Sequence, residues 1–209
     1  GFGYTVASGD WNADGKTDLA VGAYLYATST GRAYIFYNDG TISNGATSAD
    51  VIIAGEATSR QFGSALTAGD WNADGKTDLA VGAYAYSTNT GRAYVFYNDG
   101  SYPTIASSAD AIMAGETTSN RFGYSLTAGD FNADGKTDLA VGASYYSSQA
   151  GRAYIFYSGS ITTENASGAD IIVTGEAGSD NFGVSLTSAD MNSDGKTDLV
   201  VGGYGYGSF

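Results

Sequence analysis

Apolar positions along this chain come in short runs separated by polar, glycine-rich loops, and the stretch from Phe62 to Arg121 sets out the order. Phe62-Gly63-Ser64-Ala65-Leu66-Thr67-Ala68-Gly69 is extended and rich in small residues, which predicts a first strand leading into a loop. Asp78-Leu79-Ala80-Val81-Gly82-Ala83 leaves that loop as an apolar second strand. A Ser/Thr/Tyr-rich connection from Ala83 to Thr90 leads to an aromatic, β-branched third strand, Gly91-Arg92-Ala93-Tyr94-Val95-Phe96-Tyr97, and a turn at Asn98-Asp99-Gly100. A variable segment runs to about Ser108, and Asp110 to Glu116 is the fourth strand. No window carries the 3.6-residue apolar period of a long helix.

The same order starts again at Phe2, Phe122 and Phe182, so the chain divides into repeats 2–61, 62–121 and 122–181 and a partial repeat 182–209. Four short strands at a fixed period fit a blade whose faces are buried by its neighbours. The expected fold is all-β, a β-propeller of four-stranded antiparallel blades, with about three and a half repeats of 60 residues present. Small residues in the first two strands suit the crowded centre of such a ring, and the aromatic third strand suits the wider outside. A β-solenoid has shorter coils and does not need hairpin turns. In the fourth repeat Ala189, Ser193 and Gly203 replace residues that the other three share, as terminal repeats often do.

The loop between the first two strands carries the candidate chemistry. Oxygen-bearing side chains alternate with non-donors at loop positions 1, 3, 5 and 9: Asp10, Asn12, Asp14 and Asp18, then Asp70, Asn72, Asp74 and Asp78, then Asp130, Asn132, Asp134 and Asp138, then Asp190, Asn192, Asp194 and Asp198. Glycine at position 6 permits a sharp turn, after which position 7 (Lys16, Lys76, Lys136 or Lys196) can offer its backbone carbonyl. An all-oxygen set on one flexible loop suits Ca²⁺ better than Mg²⁺, and a chain with no His or Cys is a poor host for zinc or copper. A plain hairpin turn needs Asn-Gly or Asp-Gly, not three further spaced oxygens, so four Ca²⁺ ions, one per loop, are expected. These are not EF-hands, because loop position 12 is Val21, Val81, Val141 or Val201 rather than Glu, and strand rather than helix follows.

Charge agrees with that reading. Of the 22 acidic residues twelve are loop aspartates, and four Ca²⁺ would bring the net charge from −13 to about −5. With only nine Lys and Arg, four of them inside the acidic loops, nucleic acid is excluded as a natural partner. The absence of Cys gives no compartment signal. Calcium loops of this open type fill at roughly 10⁻⁴ to 10⁻³ M, which points outside the cell. A secreted or cell-surface setting is therefore expected, and with no signal peptide and no apolar run near 18 residues the sequence is expected to be mature, soluble or a fragment.

Phe-Gly at the head of each repeat, the Asp-x-Asn-x-Asp-Gly-x-x-Asp-Leu loop and the Val-Gly-Ala that follows resemble the FG-GAP repeat of integrin α-subunit propellers and related bacterial proteins, over the whole chain. The sequence departs from that pattern where Pro is expected after Gly-Ala, which is Tyr24, Tyr84, Ser144 or Tyr204, and at loop position 3, which is Asn rather than Asp. The resemblance implies a seven-bladed propeller with calcium on one rim, used in adhesion or ligand recognition. Three and a half repeats imply either a longer parent or chains that complete one another head to tail, as a closed homo-oligomer or as a filament.

In an antiparallel meander the acidic loop shares its end with the connection between strands three and four. The opposite end collects Tyr26, Tyr86 and Tyr146 with Arg60 and Arg121, the residue types that bind proteins and sugars, unless the tyrosines pack between blades. Arg32, Arg92 and Arg152, Glu56, Glu116 and Glu176, and Asp50, Asp110 and Asp170 recur once per repeat and read as structural ion pairs or turn bonds. Asn165-Ala166-Ser167 is a glycosylation sequon on the acidic-loop side. Trp11 and Trp71, replaced by Phe131 and Met191, read as packing residues rather than a sugar platform. Without His or Cys, and with Glu164 the sole Glu outside the repeat pattern, no catalytic set is evident. The expectation is a non-enzymatic, calcium-binding adhesion or recognition module for a protein or glycan ligand. The alternatives are a carbohydrate-binding lectin and a self-assembling filament or surface-layer subunit.

Overall fold

The computed structural model describes residues 1–42, 44–56 and 61–205. The first sheet is a meander of β1 (Thr5–Gly9), β2 (Asp18–Gly22), β3 (Arg32–Phe36) and β4 (Val51–Ala54), in that spatial order. The second repeats it with β5 (Ala65–Gly69), β6 (Asp78–Ala83), β7 (Arg92–Phe96) and β8 (Ala111–Ala114), and the third with β9 (Phe122–Gly129), β10 (Asp138–Ala143), β11 (Arg152–Phe156) and β13 (Ile171–Thr174). A short β12 (Glu164–Asn165) intervenes, and β14 (Ser185–Ala189) and β15 (Asp198–Gly202) form a last hairpin. All pairs within each four-stranded meander are antiparallel, as expected for propeller blades.

The first strands lie innermost: β1 packs on β5, β5 on β9, and β9 on β14. Small residues, Ala, Gly, Ser and Thr, dominate there because neighbouring blades approach closely at the axis. Strand boundaries match the apolar runs, with one shift. Phe62 precedes β5 rather than opening it, and bridges in parallel to Gly31 of the preceding blade; Gly91–Phe122 and Gly151–Phe182 repeat the bridge. A Cβ on Gly91 would collide with the Phe122 backbone, so glycine is required at that contact.

Burial shows what blade-on-blade packing contributes. Phe62 and Phe122 are fully buried, edge-on to Tyr94 and Phe96 and to Tyr154 and Phe156, whereas Phe2 on the outer face of the first blade is 54 % exposed. The core is therefore a series of interblade layers.

A second link runs along the outside. The connection before the fourth strand reaches back to the preceding blade: β12 pairs in parallel with β8, and Ile105 bridges Ala54. The sequence placed only variable loops there. No helix among the described residues is long and apolar enough to cross a membrane.

Candidate functional site

Each acidic loop folds around its own amides. Asp10 Oδ1 and Asn12 Oδ1 both accept from Asp14 N, at 3.1 and 3.0 Å, and Asp10 Oδ2 accepts from Gly15 N (2.8 Å). Asp14 Oδ1 accepts from Lys16 N (2.9 Å), a bond that holds the Asp14 carboxyl below its ordinary pKa. The same bonds recur around Asp70, Asp130 and Asp190. Ala13, Ala73, Ala133 and Ser193 take left-handed φ at position 4, just before the amide on which positions 1 and 3 meet.

Position 9 is held differently. Asp78 is fully buried; its Oδ2 accepts from Trp71 N (2.9 Å) and its Oδ1 from Asn98 N (2.8 Å). Asp18 and Asp138 make the equivalent pairs, the second partners being Asn38 N and Ser158 N. One carboxylate thus fastens the acidic loop to the turn after the third strand, which places both connections at one end of the blade. Burial pushes the Asp78 carboxyl up to about 6, with Asp70 and Asp74 adding repulsion, and burial raises Asp138 as well. Among the described residues no three acidic side chains stand close enough together to hold a metal as they are. Lys16 lies over its own loop, its Nζ 3.1 Å from Asp14 Oδ2, whereas Lys76 Nζ donates to Asn98 O (3.2 Å) in the turn after the third strand.

Position 2 joins blades. Trp11 and Trp71 are buried; Trp11 Nε1 donates to Asp78 O (3.2 Å) of the next blade, and Asn98 Nδ2 donates back to Trp11 O (3.0 Å). Met191 is 66 % exposed in the last hairpin, where no further blade covers it.

The recurrent charges are structural. Asp50, Asp110 and Asp170 accept from Tyr37 N, Tyr97 N and Tyr157 N, each at 2.8 Å. Glu56 and Glu116 reach the next blade and bind Arg92 with Tyr94, and Arg152 with Tyr154.

At the opposite end, Tyr26, Tyr86 and Tyr146 each lie under the arginine of their own blade, with Arg32, Arg92 and Arg152 at 3.9, 3.7 and 3.5 Å from the ring centroids. These faces are covered. Arg60 lies outside the described residues. Arg121 is half-buried, 3.5 Å over Tyr145 and 5.7 Å from Tyr84. Around it is a cluster that the sequence pattern did not bring together: Tyr4 lies tilted against Tyr24 (4.2 Å between ring centroids) and Tyr84 against Tyr124 (4.9 Å) at the inner strand ends. Its signal was available, since Tyr24 and Tyr84 occupy the place where the family pattern has Pro. Asn165 sits at the blade joint on the other rim, its Nδ2 donating to Gly115 O (3.2 Å) and its Oδ1 accepting from Ser167 N.

Radially packed four-stranded meanders with an acidic loop at one end of each define a repeat β-propeller protein. The FG-GAP repeat model matches residues 2–36, 62–96, 122–156 and 182–208, and the chain belongs to that family. It is 31% identical over 98% of its length to integrin alpha-5 of Xenopus laevis and 32% identical over 97% to integrin alpha-PS2 of Drosophila melanogaster. It is also 37% identical, over 68% of its length, to phosphatidylinositol-glycan-specific phospholipase D of Bos taurus. The chain spans only 20%, 15% and 18% of those three proteins.

Proposed function

We propose that this chain is a calcium-stabilised recognition segment of an extracellular adhesion protein, binding Ca²⁺ in its acidic loops and its ligand on the opposite rim. The observation that carries the calcium reading is the convergence of Asp10 Oδ1 and Asn12 Oδ1 on one amide, repeated in all four loops. The donors are all oxygen, and each carboxylate oxygen keeps lone pairs beyond the amide it serves. Positions 1, 3, 5 and 9, with the carbonyl of the position 7 lysine, would hold the ion. Bound there, Ca²⁺ supplies charge neutralisation and a crosslink between the first two strands.

The position 9 carboxylate would then share its oxygens between the ion and the two amides it already holds. Its role is to tie a filled loop to the blade edge. Kinship with integrin α subunits supports the adhesion reading, and with it an extracellular setting where calcium is plentiful. The phospholipase D relative carries a catalytic name, yet the aspartates here are engaged with backbone amides, so we place no chemistry in this segment.

Titration of the calcium-free protein with Ca²⁺ and, separately, Mg²⁺ tests the reading through melting temperature. A rise with Ca²⁺ over the millimolar range, well above any rise with Mg²⁺, is expected. No shift, or equal shifts, would overturn it.

A further inference from the structure

Repetition supplies a control for function, because a residue serving the fold recurs in every blade. Arg121 does not recur. Its counterparts are Gln61 and Asn181, and all three hold left-handed φ, at 57°, 68° and 54°. The backbone there is shared, since Arg121 N donates to Asn89 O as Asn181 N donates to Gln149 O. The guanidinium is not shared. Two more departures lie next to each other in the following repeat. Ser144 stands where Tyr24, Tyr84 and Tyr204 stand, and Tyr145 stands where Leu25, Ala85 and Gly205 stand. Tyr145 is the ring that carries the Arg121 guanidinium, at 3.5 Å.

The polar groups in this place lack partners. Asn120 is 4 % exposed and its Nδ2 donates to nothing, while its Oδ1 accepts from Thr117 Oγ1 (3.1 Å) and its carbonyl from Tyr145 N (3.2 Å). Ser144 is fully buried and its Oγ is also without a partner. Arg92 and Arg152 each pair with a glutamate of the preceding blade; among the described residues no carboxylate pairs with Arg121. A guanidinium held flat by an aromatic face keeps its in-plane N–H donors free for a second partner.

We propose that Arg121, Asn120, Ser144 and Tyr145, with the paired Tyr84 and Tyr124 beside them, form a binding site for the carboxylate-bearing sugar of an acidic glycan. The inference rests on the reading of this rim as the recognition surface. Arg121 and Asn120 Nδ2 are donors and the Ser144 hydroxyl can donate as well, a set that favours an acceptor-rich anion, and the planar fork of Arg121 matches the two oxygens of a carboxylate. Neighbouring ring faces suit the apolar face of a pyranose and offer little to an extended acidic peptide, which would need backbone partners.

The test is calorimetric titration of the whole chain, in calcium buffer at physiological salt, with a glucuronate-terminated oligosaccharide, its glucose-terminated counterpart and a Glu-rich peptide. The glucuronate sugar should bind about tenfold or more tightly than the glucose sugar, the scale of a charged hydrogen-bond pair. R121Q and Y145L each place the first repeat's own residue, Gln61 and Leu25, at these positions, so the fold should hold. Both should abolish the preference while leaving calcium-dependent melting unchanged. Equal binding of the two sugars, an unchanged preference in R121Q, tighter binding of the peptide, or no binding of any probe would each overturn the inference. Calcium stabilisation persisting beside such a failure would leave the calcium reading standing, and loss of calcium stabilisation alone would remove that reading and not this one.

Discussion

Glu56 and Arg92 belong to different blades, yet Glu56 Oε1 lies 3.0 Å from Arg92 Nη1 and accepts the Tyr94 hydroxyl at the same 3.0 Å. Glu116 with Arg152 and Tyr154 repeats the joint one blade on, at 2.7 and 2.8 Å. One carboxylate therefore stitches an arginine and a buried tyrosine across each interface. Burial and the Glu56 charge both push the Tyr94 hydroxyl far above its ordinary pKa, so it stays protonated and donates to Glu56.

Glu116→Ala should accordingly destabilise the protein by about 2 kcal/mol, because Tyr154 and Arg152 lose a charged acceptor in a half-buried place. Denaturant unfolding measures the loss. The calcium midpoint should stay put, since the joint lies away from the acidic loops; a changed midpoint with unchanged stability would contradict the assignment.

Asp78→Ala should do both kinds of damage. It removes a proposed ligand and strands Trp71 N and Asn98 N, two buried amides that would each cost about 1 to 3 kcal/mol unpaired. Asp74→Ala, at an exposed position, should weaken calcium binding with a much smaller loss of stability in calcium-free buffer. Equal calcium-free stabilities of the two variants would refute the distinction between position 5 as ligand and position 9 as fastener.

How much of this was legible in the sequence depends on the range over which each feature is set. Asp78-Leu79-Ala80-Val81-Gly82-Ala83 is β6 residue for residue, because the strand pattern follows from neighbours in the chain. The double duty of Asp78 was not legible. Its second partner, Asn98 N, is brought to it by the pairing of β6 with β7. Arg121 over Tyr145 depends on the bridge of Gly91 to Phe122, a contact between blades that no local pattern marks.

The raised Asp78 carboxyl sets a pH dependence with an unusual sign for an aspartate. Its folded value, about 6, exceeds the ordinary 3.8, so between those values the folded state binds more protons than the unfolded one. Stability of the calcium-free protein should therefore rise as pH falls from 7 through 6 towards 4, and Asp138 should add in the same direction. Calcium needs the ionised form, so in saturating calcium the trend should reverse, with stability falling below about pH 6. Calorimetric melting across this range in both buffers decides it; a calcium-free curve that falls on acidification would remove the buried carboxyl from the account.

The turn between the second and third strands offers a prediction about strain. Ser87, Thr88 and Asn89 are consecutive left-handed residues, with φ of 43°, 56° and 62°, and Thr88 is β-branched, the type least tolerant of that region. The turn persists because its carbonyls hold the segment that leads into the next blade: Thr88 O accepts from Ser119 N, Asn89 O from Arg121 N and Thr90 O from Phe122 N. A right-handed turn would aim those oxygens elsewhere, and three backbone bonds outweigh a strain of about 1 to 2 kcal/mol per residue. Thr88→Gly removes the Cβ clash and keeps the carbonyl, against a gain in unfolded-chain entropy of about 0.5 to 1 kcal/mol. The net expectation is stabilisation of up to about 1 kcal/mol, read as a higher denaturation midpoint. Thr88→Val keeps the branched Cβ in the same strained backbone and should give no such gain. Equal midpoints for the two variants would show that the turn carries no strain at Thr88.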